Sequence, residues 1–388
     1  PTWGDEDWRN TGLVRSIENK IIWNGRVGGT TWFHPRACMI HSASKSVGLM
    51  TLQSIGGSDY FGPVYWSVTE DLGKTWSEPE PIFSLGRRVL GGDLQEGVCD
   101  VVPEYHPKTK VVLAIGHNVY YREGRLARPQ LKRYPVYVVR SPEGSWSETR
   151  KLEWDDPRAT RIYSCGCGQR VTMENGDLLI PLSFGPKERE DRSVSTVLCS
   201  FDGRTVKIKR CGNKLHNGVK RGLLEPSLAR FGGRYYMTIR AEDGRGYVTS
   251  SDDGLHWVEQ RAWCWDDGEP LTMSTTQQHW LVHSEGLYLV YTRKAKGNVK
   301  VFRWRAPLYM AAVDHESLRL IRSTERVVFP LIGDGINEAK HVARMGNFHT
   351  TSAAPEESWV TVGECLPADG WRGDLLMARI RWSKPNRL

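Results

Sequence analysis

G-L-L-E-P-S-L-A-R-F-G-G-R-Y-Y-M-T-I-R-A-E-D-G-R-G-Y-V-T-S-S-D-D-G-L-H-W, residues 222–257, reads as three short strands joined by tight turns. Glu225 precedes a strand that runs to the Gly232-Gly233 turn, and the next strand, 234–240, alternates and ends on Arg240. A third, 246–249, enters Ser250 to Trp257, which has the form S-x-D-x-G-x-x-W. Asp and Gly close a hairpin turn there, and Trp packs back beneath it.

Weaker and stronger copies of this unit recur. Residues 64–68 enter S-V-T-E-D-L-G-K-T-W-S-E-P, where Thr69, Asp71, Gly73, Thr75 and Trp76 complete the turn pattern. Residues 136–146 keep Ser, Gly and Trp, residues 200–203 keep Ser, Asp and Gly, and residues 309–320 keep the strand and Asp314. Residues 375–382 end the chain on another such strand, and 13–23 reads as a strand that closes the fold within the mixed segment 3–26. Measured from Thr69, Ser141, Ser200, Ser250 and Val313, the intervals are 72, 59, 50 and 63 residues. Six units of this size fill the chain, each with room for a four-stranded sheet. The fold class expected is all-β, a six-bladed β-propeller forming one domain over residues 1–388, with loops from every blade gathered at one mouth.

Composition agrees: 16 Trp and 39 Gly in 388 residues suit a chain of short strands and turns. No apolar run approaches the roughly 18 residues that span a bilayer, so no membrane role is expected. The net charge of +8 fits an anionic partner or simply a basic surface. No nucleic-acid-binding pattern accompanies it, and the Lys and Arg residues between Arg204 and Arg221 read as a solvated hairpin and loop. Eight cysteines are too sparse for a disulfide scaffold, and Cys165-Gly-Cys167 lacks zinc-site spacing, so neither metal nor cofactor is expected. No signal peptide is visible at Pro1; compartment and oligomeric state stay open, with a secreted or periplasmic setting as the leaning.

Six units with S-x-D-x-G-x-T-W hairpins resemble the sialidase (neuraminidase) superfamily, whose repeats are called Asp boxes and whose fold is a six-bladed propeller. The resemblance implies an exo-glycosidase that releases a terminal acidic sugar, its carboxylate clamped by three arginines. Several planar guanidinium forks can hold one carboxylate through charge-assisted hydrogen bonds. Arg36, after His34-Pro35, looks like the first, Arg240 the second, and Arg305 the third, with Arg303 its near competitor. Asp59, in the 56–60 turn, is similar to the family's acid/base aspartate, and Glu225 to the glutamate that assists the nucleophile. That nucleophile is a tyrosine. In the corresponding segment, 345–364, Phe348 or His349 stands in its place, so His349 becomes the candidate base.

A second constellation is rich in His and Tyr: His34, His106, His117, Tyr163, Gln278 and His279. Propeller polysaccharide lyases abstract the proton beside a uronic carboxylate with His or Tyr while Arg neutralises that carboxylate, and these residues suit such a reaction. A third class is a non-catalytic glycan-binding propeller with Trp66, Trp265 and Trp280 as platforms. All three readings take an acidic oligo- or polysaccharide as partner.

Overall fold

A computed structural model describes residues 12–41, 46–187 and 189–388. Part of the 3–26 segment therefore lies outside the described residues. Six antiparallel sheets follow one another along the chain. Blade 1 is built on Trp32–His41, Ser46–Gly57 and Tyr60–Thr69. Leu94–His106 and Val111–Arg122 open blade 2, and Leu178–Gly185 and Ser193–Phe201 carry blade 3. Blade 4 is Leu224–Phe231, Arg234–Arg240 and Gly246–Ser251, as the opening stretch of sequence predicts. Blade 5 holds His279–His283, Gly286–Tyr291 and Leu308–Asp314. Blade 6 holds Phe348–Ala354, Glu357–Gly363 and Leu375–Trp382, and its outer strand is the amino-terminal Val14–Trp23. That pairing joins the two ends of the described chain and closes the ring.

Each blade alternates apolar residues onto both faces, so the core is divided among the seams between blades. Met39, Met50, Trp359 and Met377 fill the seam of blades 1 and 6. Tyr236, Trp263, Trp280 and Leu289 fill that of blades 4 and 5. Neighbouring blades are stitched near the axis by hydroxyls: Thr351 Oγ1 donates to Ala37 O at 2.9 Å, and Thr51 Oγ1 to Val101 O at 2.7 Å.

The turns are held as their residue types require. Asp71 accepts from Thr69 Oγ1 and Thr75 N, both at 2.9 Å, while Gly73 takes a left-handed φ of 74°. Trp76 then meets Trp359 of blade 6 edge-on, with centroids 5.9 Å apart. In the 250–257 turn the bonding pair sits one residue later than the sequence pattern suggests. Ser251 and Asp253 bond the turn, whereas Asp252 pairs with Arg234 at 2.7 Å. No helix of the described residues is long and apolar enough to cross a membrane.

Candidate functional site

Three innermost strands carry the same irregularity. Between Phe33 and Arg36, between Cys99 and Val102, and between Leu224 and Ser227, two residues face one on the neighbouring strand. The first residue of each bulge is left-handed: His34 at φ 52°, Asp100 at 55° and Glu225 at 44°. Such a bulge bends the strand and re-aims a side chain, and glycine is its usual occupant. A charged or polar residue there costs about 1 kcal/mol or more in backbone strain. All three side chains line one cavity of about 540 Å³. Each is met by the neighbouring-strand residue opposite the position just before the bulge: Gln53, His117 and Arg240.

Glu225 and Arg240 form an ion pair at 2.5 Å. Burial pushes Glu225 up, but Arg240 outweighs it and holds the carboxylate below its ordinary range. Asp100 likewise is raised by burial and then pulled well below the usual carboxylate range by His34, Arg36 and His117. His117 is pushed down to about 3 by burial and the Arg133 charge, so it is neutral, and burial lowers His34 as well.

From blade 5, Arg305 and Arg303 enter the same cavity. Arg305 rests on Gly346, where any Cβ would come within 2.4 Å of its Cδ and Nε. Its Nε bonds Thr276 Oγ1 at 3.2 Å, and it makes no ion pair among the described residues. Burial, Arg240 and Arg303 together pull it down to about 9. Asp59, also left-handed at φ 54°, reaches the cavity from the turn between two strands of blade 1.

Of the twelve residues singled out from sequence, the cavity gathers Asp59, Glu225, Arg240, Arg305, His34 and His117. The other six, Arg36, His349, His279, His106, Tyr163 and Gln278, do not line it. Arg36 is fully buried, its guanidinium bonded through both terminal nitrogens to Phe348 O, to Asp100 at 3.0 Å and to Gln277 at 3.2 Å, while its buried Nε has no protein partner. His349 is buried in a regular strand behind the wall, and neither ring nitrogen has a protein partner. His279 bonds Ser227 and Gln277, His106 bonds Thr109 and Gly176, and the Tyr163 hydroxyl donates to Leu152 O at 2.9 Å. Gln278 is buried against Thr238. Trp265 and Trp280 are buried, and Trp66 packs on Trp146, so none of the three forms a platform in the cavity.

Sequence reading missed Asp100, Arg133, Arg192 and Asn347 on the wall. Lys220 and Arg221 also line it, contrary to their reading as part of a solvated loop. No tyrosine lines the cavity among the described residues. Cys99, Asp100 and His117 offer three metal-ligand atoms within 4.8 Å of one another. Their thiol is pushed well up by burial, and Arg36 and Arg133 stand beside them, which raises the cost of placing a cation there.

No protein-family model and no curated protein sequence matches the chain. Solved structures do match. Trypanosoma rangeli sialidase in complex with sialic acid aligns over 95% of this chain at 14% identity and a TM-score of 0.64. The chain spans 59% of that protein's length. A Hadza microbial sialidase, Hz136, aligns over 94% of this chain and 68% of its own, at 14% identity and TM-score 0.66. A Dyadobacter fermentans protein of unknown function aligns over 96% of this chain and all of its own, at 14% identity and TM-score 0.64. The fold is thus a sialidase-like six-bladed β-propeller. A fold of this kind does not fix an activity, which must be argued from the cavity.

Proposed function

We propose that this protein is a carbohydrate-active enzyme that hydrolyses a terminal acidic sugar, holding the sugar's carboxylate between Arg240 and Arg305. The observation that carries the reading is that these two guanidiniums share one cavity with two carboxylates, Asp59 and Glu225. Asp59 gives a proton to the leaving glycosidic oxygen as the bond to the anomeric carbon breaks. With no tyrosine on the described wall, the bond is replaced in one displacement. Water attacks the anomeric carbon and Glu225 takes its proton, the two-carboxylate route of many glycosidases. Arg240 keeps Glu225 ionised for that role.

Release of free acidic sugar from a panel of sialosides, uronides and sulfated glycans tests this. Asp59→Asn and Glu225→Gln should each lower turnover by about a hundredfold or more. Unchanged turnover in Arg240→Ala rejects the clamp. The neutral imidazoles of His34 and His117 on the wall favour a second reading, β-elimination of a uronate. Its product carries a conjugated double bond and absorbs in the ultraviolet, whereas hydrolysis leaves no new absorbance. Binding with neither product supports a lectin.

A further inference from the structure

One corner of the cavity takes no part in the proposed hydrolysis. There Cys99 and His117 stand directly opposite each other on Leu94–His106 and Val111–Arg122, the two strands that open blade 2. Cys99 Sγ lies 3.2 Å from His117 Nε2. The next residue, Asp100, is the left-handed member of the bulge, at φ 55°, and the bulge brings its carboxylate to the same corner. A sulfur, a nitrogen and an oxygen, one from each residue, all lie within 4.8 Å of one another, and all three residues line the cavity.

Neighbouring groups decide which atoms are on offer. The other ring nitrogen of His117, Nδ1, is buried without a protein partner, and a Cβ at Gly166 would come within 2.0 Å of it. That edge of the ring is packed against the main chain, which leaves Nε2 on the thiol side. Asp100 is held through Oδ1, by Arg36 Nη2 at 3.0 Å and His34 Nε2 at 3.5 Å, so Oδ2 is the atom it can offer. A tetrahedral zinc ion, with sulfur at about 2.3 Å and nitrogen at about 2.0–2.1 Å, sets those two ligands about 3.5 Å apart. The 3.2 Å between Cys99 Sγ and His117 Nε2 needs only a few tenths of an ångström of movement to match.

We propose that Cys99, Asp100 and His117 form a binding site for a thiophilic divalent cation of the zinc class, whichever sugar the cavity takes. The sulfur–hydrogen bond of Cys99 breaks, its proton leaves to solvent, and a sulfur–metal bond replaces it with no change of oxidation state. Nε2 and Oδ2 supply two more bonds, and the fourth tetrahedral position goes to water from the cavity. Positive neighbours select the metal. Arg36 pairs with Asp100, and Arg133 lines the same cavity, so any cation is repelled. A hard ion such as magnesium or calcium needs six or more oxygen ligands and finds one carboxylate in this group to offset that repulsion. A softer ion gains a thiolate and an imidazole as well.

Titration calorimetry of the whole protein, stripped of metal by chelation, tests this with zinc chloride, and with magnesium and calcium chloride as controls. Cadmium chloride gives a second readout, the sulfur-to-metal charge-transfer band in the ultraviolet. Zinc should bind and the two hard ions should not. The cadmium band should persist in Cys211→Ser, which removes the exposed thiol, and vanish in Cys99→Ser. Removing a partner of a metal ligand already weakens binding about 10–100-fold, so loss of a ligand itself in Cys99→Ser or His117→Gln should weaken zinc by at least about a hundredfold. Arg133→Gln keeps all three ligands and removes a repelling charge, so it should tighten zinc at least about twofold. Circular dichroism and the thermal midpoint establish that the variants are folded. No cadmium band in the wild type, zinc binding unchanged in Cys99→Ser, or magnesium bound as well as zinc overturns the site. Should a ligand variant fail to fold, Arg133→Gln decides, and unchanged zinc affinity there overturns the site too.

Discussion

Replacing Arg305 by methionine should make the protein more stable and a worse binder. A guanidinium keeps its proton at any pH the fold survives. The downward pull on Arg305, to about 9, is therefore a penalty carried by the folded state, caused first by burial and then by Arg240 and Arg303. Set against the ordinary arginine value of 12.5, that penalty has an upper bound of about 5 kcal/mol. Solvent at the open mouth screens much of it. Exchanging buried charge for well-packed apolar side chains elsewhere has gained about 1–4 kcal/mol, and the lower half of that range is expected here. For a chain of this length 1 kcal/mol shifts the thermal midpoint by about 2 °C, so Arg305→Met should melt a few degrees higher. The same variant loses a charge-assisted hydrogen bond to the acid and should bind the preferred monoacid about ten to a hundred times more weakly. Scanning calorimetry reads the first effect and titration calorimetry the second. A variant that melts lower, or that binds the acid as well as the wild type, refutes the argument.

Gly346→Ala should act on the same residue indirectly. The new Cβ meets the movable part of the Arg305 side chain, so the midpoint changes little while monoacid affinity falls about tenfold. Arg36→Met should do the reverse of Arg305→Met. It strips the buried partner from Asp100, and urea titration should find the fold about 3–5 kcal/mol weaker. His349→Leu removes two buried ring nitrogens that have no protein partner, so it should hold or raise the midpoint and keep turnover; a large loss of turnover would restore His349 to the chemistry. Stability should also depend on acid. Folded His117 titrates near 3 and the unfolded residue near 6.5, so its contribution is complete above about pH 6.5 and is lost as pH falls toward 3. His34, Asp100 and Glu225 are all displaced downward and add in the same sense. The thermal midpoint should fall from pH 7 to pH 4, with a shallower slope in His117→Gln; a midpoint that is flat or rises on acidification contradicts this.

The blades were legible because their signals are local. A Gly with positive φ, an Asp bonded to its own turn and a Trp beneath it are written within eight residues, as at 69–76. Strand alternation then supplies the rest. In the cavity, Arg240 and Asp59 were the most legible, because one stands at a strand end and the other in a turn. Alternation alone turns Arg36 inward, but the bulge at His34-Pro35 resets the parity, so His34 faces the cavity and Arg36 lies beneath the wall. In blade 6 the strand begins at Phe348, which leaves Asn347, not His349, at the mouth. Lys220 and Arg221 are distant in sequence from every other wall residue of blades 2 and 5, and only ring closure brings them there.

The repeated bulge has a consequence for how such a protein could change its chemistry. Positions 34, 100 and 225 are the same mount cast three times, each already bent to accept a side chain that glycine would otherwise tolerate best. Exchanging the occupant of the Glu225 mount, whose partner Arg240 belongs to the same blade, leaves the apolar seams on either side of that blade in place. New reactivity could therefore be tried out one blade at a time, the ring serving as a turret whose fittings are replaced while its frame stays put.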